Sequence, residues 1–135
     1  MDVQEVRKLD AYLKKLFGNA RLRVVPEGRD AAEVFIGEDR LGDLNVDDED
    51  EDRSYNFRME INLGEVADID RIKRLDAYLK RKFDNDIIRV VPRPRKQDSL
   101  EIYLGEEFIG VLFVDDEKAR GSYILEMPIL DMDLA

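Results

Sequence analysis

The stretch LDAYLK occupies residues 9–14 and recurs without a change at residues 75–80. Around it, residues 6–26 align with residues 72–92, and 12 of these 21 positions are identical. After a two-residue insertion the match continues downstream, so that 24 of 45 aligned positions are identical in all. Identity in the same order over this length indicates that the chain contains an internal duplication.

The duplication divides the chain into copy one, residues 1–64, and copy two, residues 65–135. A unit of about 60 residues forms a hydrophobic core that is only marginally stable by itself. The connecting segment 62–67 is short and includes Leu63 and Val66, which is not the composition of a flexible tether. We therefore predict that the two copies are fused into one globular domain with a pseudo-twofold arrangement.

Each copy begins with apolar residues at helical spacing. Asp2, with Glu5 three residues later, suits a capping box, and Asp68 is the predicted cap of the second helix. Extended runs with short turns follow, and the first run of each copy ends at a proline. The pattern predicts α-β-β-β units that form an antiparallel meander. The extended runs are 22–25, 33–36, 41–46 and 55–61 in copy one, and 87–91, 101–104, 109–114 and 123–129 in copy two.

Alternation along these runs indicates which sheet face the helix covers. Both copies keep apolar residues at every second position of a strand, and therefore on one face of the sheet. We predict that this face forms the core, so that the fold class is α+β with each antiparallel sheet covered by one helix. The predicted core residues of the strands are Val34, Ile36, Leu44, Val46, Tyr55, Phe57, Met59 and Ile61, with Ile102, Leu104, Leu112, Val114, Tyr123, Leu125, Met127 and Ile129.

The opposite sheet face differs between the copies. Copy one has polar residues there, which predicts a hydrated face: Asp43, Asn45, Asn56, Arg58 and Glu60. Copy two has apolar residues there, and one helix cannot cover both faces of its sheet. Copy one, a second chain or another protein must then cover this face. We predict that it is a protein-interaction surface, with candidate residues Tyr103, Ile109, Val111, Phe113 and Ile124.

The composition excludes several classes of chemistry. The chain has no His and no Cys, which removes the commonest general base, thiol nucleophiles and thiolate metal sites. The net charge of −10 disfavours binding to nucleic acid or to anionic membranes. No apolar run has the length of a transmembrane helix. We expect a cytoplasmic protein with no catalytic residue, cofactor or metal.

Two charged segments have competing interpretations. The acids at residues 47–52 could bind calcium, but they lack the spacing of an EF-hand, so a solvated hairpin loop is favoured. Residues 71–96 carry ten Lys or Arg against three Asp, whereas residues 97–135 carry two basic and ten acidic side chains. This basic segment is an alternative nucleic-acid site, although the net charge favours internal pairing or an acidic protein partner. Its candidate contacts are Arg89, Arg93, Arg95 and Lys96.

Tyrosines are also repeated, as Tyr12 with Tyr78 and Tyr55 with Tyr123. A tyrosine beside a carboxylate is able to take part in acid–base catalysis. The periodic placement of these four residues instead favours a position in the core or at its rim.

Several motifs of copy two carry a family resemblance: Tyr78-Leu79, Phe83, residues 92–96, 101–105, 108–112 and 115–117, Ser122-Tyr123, and residues 129–131. With these motifs copy two resembles a small bacterial family, domain of unknown function 3126. Copy one is similar more loosely, because Glu27-Gly28-Arg29 stands in place of the Pro-Arg-Pro loop. The family is single-copy and has no assigned activity, so the resemblance implies the extent of the unit and no mechanism.

These observations favour a non-catalytic protein-interaction module. Its partner would be another protein or a second copy of the chain, bound through the outer sheet face of copy two. A nucleic-acid-associated protein that uses residues 71–96 is the first alternative, and an enzyme of unknown class is the second.

Overall fold

The structure is a computed structural model that describes residues 1–47, 53–64, 67–94, 98–115 and 121–134. In this part of the chain there are two α-helices, eight strands and two short 3-10 helices, at Asp68–Asp70 and Asp131–Leu134. Copy one contains α1 (Val3–Phe17), β1 (Leu22–Glu27), β2 (Ala31–Ile36), β3 (Asp39–Asp47) and β4 (Ser54–Asn62). Copy two contains α2 (Arg71–Phe83), β5 (Ile88–Pro92), β6 (Ser99–Leu104), β7 (Glu107–Val114) and β8 (Ser122–Leu130).

The strands are antiparallel, in the order β1-β2-β3-β4 in copy one and β8-β7-β6-β5 in copy two, which confirms the α+β class. Each copy has four strands, so the predicted α-β-β-β unit was one strand short. The β-branched run after each helix is itself a strand: Val24 pairs with Val34, and Val90 pairs with Ile102. The pseudo-twofold arrangement of the copies stays a prediction.

The two helices begin differently. In α1 the Asp2 carboxylate accepts from the Glu5 N–H at 2.8 Å, and Glu5 closes the predicted capping box. The prediction of an Asp68 cap is wrong, because a 3-10 turn occupies Asp68–Asp70 and α2 starts at Arg71. The residue at the N-cap position of α2, Asp70, makes no side-chain cap hydrogen bond.

The core is made by the residues that the alternation predicts. Leu9, Leu13 and Phe17 of α1 are buried, and so are their counterparts Leu75, Leu79 and Phe83 of α2. All the predicted core positions of the strands are buried except Val46 and Val114, which are half-buried. The helix of each copy packs on the first strand of that copy, α1 on β1 and α2 on β5. That each four-stranded sheet is covered by one helix stays a prediction.

Contacts divide the chain into two compact units, Met1–Arg58 with Pro128–Ala135 and Met59–Met127. The second unit thus contains the end of β4 as well as most of copy two. Within it the Leu63 N–H donates to the Gly121 carbonyl at 2.9 Å. The boundary between residues 64 and 65 and the fusion into one domain stay predictions.

Candidate functional site

A β-bulge in β7 decides which residues lie on the outer face of copy two. Tyr103 pairs with Phe108 and Ile102 pairs with Gly110, so Ile109 is an extra residue between two registered pairs. Its side chain is only 9% exposed, and the corresponding Leu41 of copy one is buried in the same kind of bulge. The assignment of Ile109 to the outer surface is therefore corrected, since strict alternation takes no account of a bulge.

The bulge brings a different residue, Phe108, to the outer face. Its ring is 48% exposed and meets the ring of Tyr103 edge-on, at 5.7 Å between centroids. Phe113 is 40% exposed, and its cross-strand neighbour Ile124 is half-buried. We call the following set the outer patch: Tyr103, Phe108, Val111, Phe113 and Ile124. Apart from Ile109, the patch contains all the candidates predicted from the sequence, and their role in binding stays a prediction.

Two carboxylates border the middle of the outer patch. Val111 lies directly between Glu101 on β6 and Glu126 on β8. Both acids are half-buried, and in the described part of the chain neither of them makes an ion pair or a hydrogen bond. The patch is thus an apolar surface that carries two negative charges without a cationic partner among the described residues.

The outer face of copy one has the same strand arrangement but carries polar and charged side chains. Asp43 pairs across the strands with Arg58, and Asn45 pairs with Asn56. Arg40, which corresponds to Phe108, donates from Nε to a Glu33 carboxylate oxygen at 2.9 Å. Positive charges therefore accompany the acids on the outer face of copy one.

The basic segment of copy two is partly engaged within the chain. The Arg89 guanidinium lies 5.1 Å from the centre of the Tyr103 ring and donates to the Gly105 carbonyl at 2.7 Å. In copy one Arg23 makes the same two contacts, with Phe35 and with the Gly37 carbonyl. Arg93 donates to the Ser99 hydroxyl at 3.1 Å. Arg95 and Lys96 lie outside the described residues, and so do Asp48–Asp52 of the acidic run.

The repeated motifs explain how the outermost strands are closed to pairing. Alternate N–H groups of an edge strand point away from its neighbour and are free to pair with another strand. The Val24 N–H of β1 instead donates to Asp10 of α1 at 3.0 Å, and the Val90 N–H of β5 donates to Asp76 of α2 at 3.1 Å. Two residues further on, each strand has a proline, which has no N–H to offer. A partner is therefore expected on a face of the sheet rather than at these edges.

One of the repeated tyrosines belongs to a polar cluster in copy one. Tyr55 is buried and donates to a Glu5 carboxylate oxygen at 2.6 Å, and Arg53 donates to the same oxygen at 2.7 Å. Burial and this hydrogen bond raise the pKa of Tyr55 to about 12. Burial acts to raise the pKa of Glu5, but the hydrogen bonds from Tyr55 and Arg53 outweigh it and lower that pKa. Both shifts move the groups away from neutral pH, so the cluster is suited to holding α1 against β4 rather than to proton transfer.

Tyr78, the repeated tyrosine on α2, faces two cations. The Arg81 guanidinium lies 5.7 Å and the Lys82 ammonium 5.8 Å from the centre of its ring. Burial raises the pKa of Tyr78. These contacts fit a rim residue of the helix surface.

A small cavity of about 280 Å³ lies in the second unit, lined by Glu60, Ile61, Asn62, Asp115, Ser122 and Tyr123. This volume is at the lower end of what small-molecule sites occupy, and part of its polar lining is engaged, since the Asp115 N–H donates to the Ser122 carbonyl.

The described residues contain no group of three or more acids placed to hold a metal ion. Neither helix in the described part of the chain is long and apolar enough to cross a membrane.

Comparison with known families agrees with the duplication. The model of the family described as "Protein of unknown function (DUF3126)" matches residues 5–63 and again residues 71–133. The chain belongs to this family. It contains two tandem copies of the DUF3126 domain, and each match extends from the helix to beyond the fourth strand. No curated protein and no solved structure matches the chain.

Proposed function

We propose that this two-copy DUF3126 protein is a non-catalytic protein-interaction module that binds its partner through the outer patch of copy two. The observation that carries the proposal is the difference between equivalent positions. Asn45 and Asn56 of copy one correspond to Phe113 and Ile124 of copy two. The fold forms with either pair, so the fold itself does not require the apolar one.

The exposure of the patch supports the same conclusion. Phe108 and Phe113 keep close to half of their surface in contact with solvent. Apolar side chains that cluster on a soluble surface are characteristic of protein-binding sites, and large aromatic residues are frequent among the energetically dominant contacts of interfaces. The Val24 and Val90 N–H groups of β1 and β5 are bonded to Asp10 and Asp76, which argues against binding by strand addition and in favour of the sheet face.

The nucleic-acid alternative has less support. Arg89 and Arg93 use their guanidinium groups for contacts within the chain. Phosphate binding would have to compete with these contacts and with a net charge of −10.

Site-specific photo-crosslinking tests the proposal. A benzoylphenylalanine is introduced at Phe113 and, as the matched control, at the equivalent Asn45 of copy one. We expect position 113 to crosslink to one partner in living cells of the native host, and position 45 not to do so. The partner is then purified, and its affinity is measured by calorimetry against the natural chain and against Val111→Thr/Phe113→Asn.

The paired substitution should weaken binding by about tenfold or more, as the loss of a central aromatic contact usually does. Circular dichroism checks that the variant is folded. Equal crosslinking from positions 45 and 113, or an affinity unchanged by the paired substitution, would contradict the proposal.

A further inference from the structure

We infer that the partner presents a cationic apolar segment, in which an apolar side chain packs on Val111 and Phe113 between two Lys or Arg that pair with Glu101 and Glu126. This inference rests on the proposed function and specifies the chemistry of the partner. It depends on the charges around the patch and not on its apolar area.

The two carboxylates occupy one row across the sheet. Glu101, Val111 and Glu126 are direct neighbours on three adjacent strands. Adjacent strands lie about 4.8 Å apart, so the backbones that carry the two acids are about 10 Å apart. A partner that covers Val111 must therefore come close to both acids. Covering a half-buried carboxylate without a compensating charge is unfavourable.

In copy one the acids of the equivalent row have positively charged neighbours. There the row is Glu33, Asp43 and Arg58, and Arg40 pairs with Glu33. In copy two the position of Arg40 holds Phe108, and that of Arg58 holds Glu126. Both of these cations have thus been replaced, while the acid at position 33 is retained as Glu101. The missing positive charges are the ones that a partner would supply.

A second copy of the chain fits this surface less well. Packing two outer patches face to face would bring four carboxylates into one interface between chains that each carry a net charge of −10. Like charges brought together at an interface cost affinity. The partner is therefore a different, cationic protein segment.

Two synthetic amphipathic peptides of equal length test this inference. Both are helical and share one apolar stripe. In the first, Lys residues flank the stripe seven positions apart, which spans about 10 Å at 1.5 Å per residue. In the second, Glu replaces these Lys residues. Binding to the full chain is measured by fluorescence anisotropy at physiological salt.

The variant Glu101→Gln/Glu126→Gln is compared with Glu33→Gln/Asp43→Asn, which removes the same two negative charges from the outer face of copy one. We expect the natural chain to prefer the Lys peptide. The copy-two variant should lose about fivefold in affinity, as two partly exposed ion pairs would, and the copy-one variant less than twofold.

Each other result has a distinct meaning. Equal binding of the Lys and Glu peptides, abolished by Val111→Thr/Phe113→Asn, would overturn the cationic partner and leave the proposed function standing. Equal losses in the two charge variants, or no binding of the Lys peptide, would also overturn it. A dimer that dissociates in Val111→Thr/Phe113→Asn would make a second copy the occupant. Lys-peptide binding unchanged by that substitution would place the contact elsewhere and count against the proposed function as well.

Discussion

The outer sheet faces of the two copies show what changes after a duplication when the fold is kept. The contacts near the edge are shared: an Arg lies over an aromatic ring in both copies, as Arg23 over Phe35 and Arg89 over Tyr103. The next two strands differ at almost every outer position, from Asp43, Asn45 and Asn56 to Val111, Phe113 and Ile124. Residues that hold the strands in place are retained, and residues that only face outward are free to acquire a different role.

The largest loss of stability is expected at Gly121, where copy two has no room for the side chain that copy one carries. Gly121 stands at the position of Arg53, with a φ of +82°, and a Cβ added to it would lie 1.9 Å from the Gly64 carbonyl oxygen. Gly121→Ala should lower the free energy of unfolding by about 2–4 kcal/mol, because backbone must move as well as adopt a strained dihedral. Urea denaturation measures it.

Gly105→Ala is the matched control, since it has a similar φ of +61° and nothing within 4 Å of the added Cβ. It should cost about 1 kcal/mol. Equal costs at the two glycines would show that the close approach to Gly64 does not constrain the second unit.

The next largest loss of stability is expected at the N-terminus of α1, where the two copies carry different residues. Tyr55→Phe removes the hydrogen bond to Glu5 and should cost about 2 kcal/mol at pH 7, because the acceptor is charged. In copy two the position of Glu5 is held by Arg71, so the helix N-terminus carries the opposite charge at this position. A loss below about 0.5 kcal/mol for Tyr55→Phe would contradict the structural role of the cluster.

The pH dependence of this cluster has a definite sign. The pKa of Tyr55 is about 12 in the folded chain, above its ordinary value of 10.0. The stabilisation is therefore complete below pH 10 and is lost as the pH rises towards 12. The difference in unfolding free energy between the natural chain and Tyr55→Phe should shrink in that interval. A difference that stays constant up to pH 12 would contradict the assigned shift.

A smaller effect should be the same in both copies. Asp10→Ala and Asp76→Ala each leave an edge-strand N–H without its acceptor, at Val24 and at Val90. Each should cost about 1 kcal/mol, and each should increase concentration-dependent association because an edge becomes available. Thermal melts and light scattering measure the two effects. A neutral substitution in one copy and a costly one in the other would show that the edges are not protected alike.

The sequence predicts most of the core because its signals are local. Alternation over four or more residues identifies the buried series on β4 and β8, and helical spacing identifies Leu9, Leu13 and Phe17. The runs 22–25 and 87–91 end at Pro26 and Pro92, and the α-β-β-β prediction has room for only three of the four extended runs in each copy. Their role follows from pairing with β2 and β6, which a local pattern does not contain.

The candidate site could be predicted only in part. Strict alternation predicts Ile109, and not Phe108, on the outer face, because it takes no account of a bulge that shifts the alternation by one residue. The contact of Glu5 with Tyr55 joins residues 50 positions apart, and no local signal marks it. For the contact of Asp10 with Val24 the sequence does contain an indication, because Asp10, Val24 and Pro26 all recur in copy two.

The most direct test of the account is the unfolding free energy of Val111→Thr/Phe113→Asn, measured by urea denaturation of a monomeric sample. Thr keeps the β-branched shape without adding a negative charge between Glu101 and Glu126. Leu112→Thr, at the buried position between the two, is the control and should cost more than about 2 kcal/mol. If the outer patch is an interaction surface, the paired substitution should cost less than about 1 kcal/mol. A loss as large as that of Leu112→Thr would show that the patch is internal core and would contradict the account.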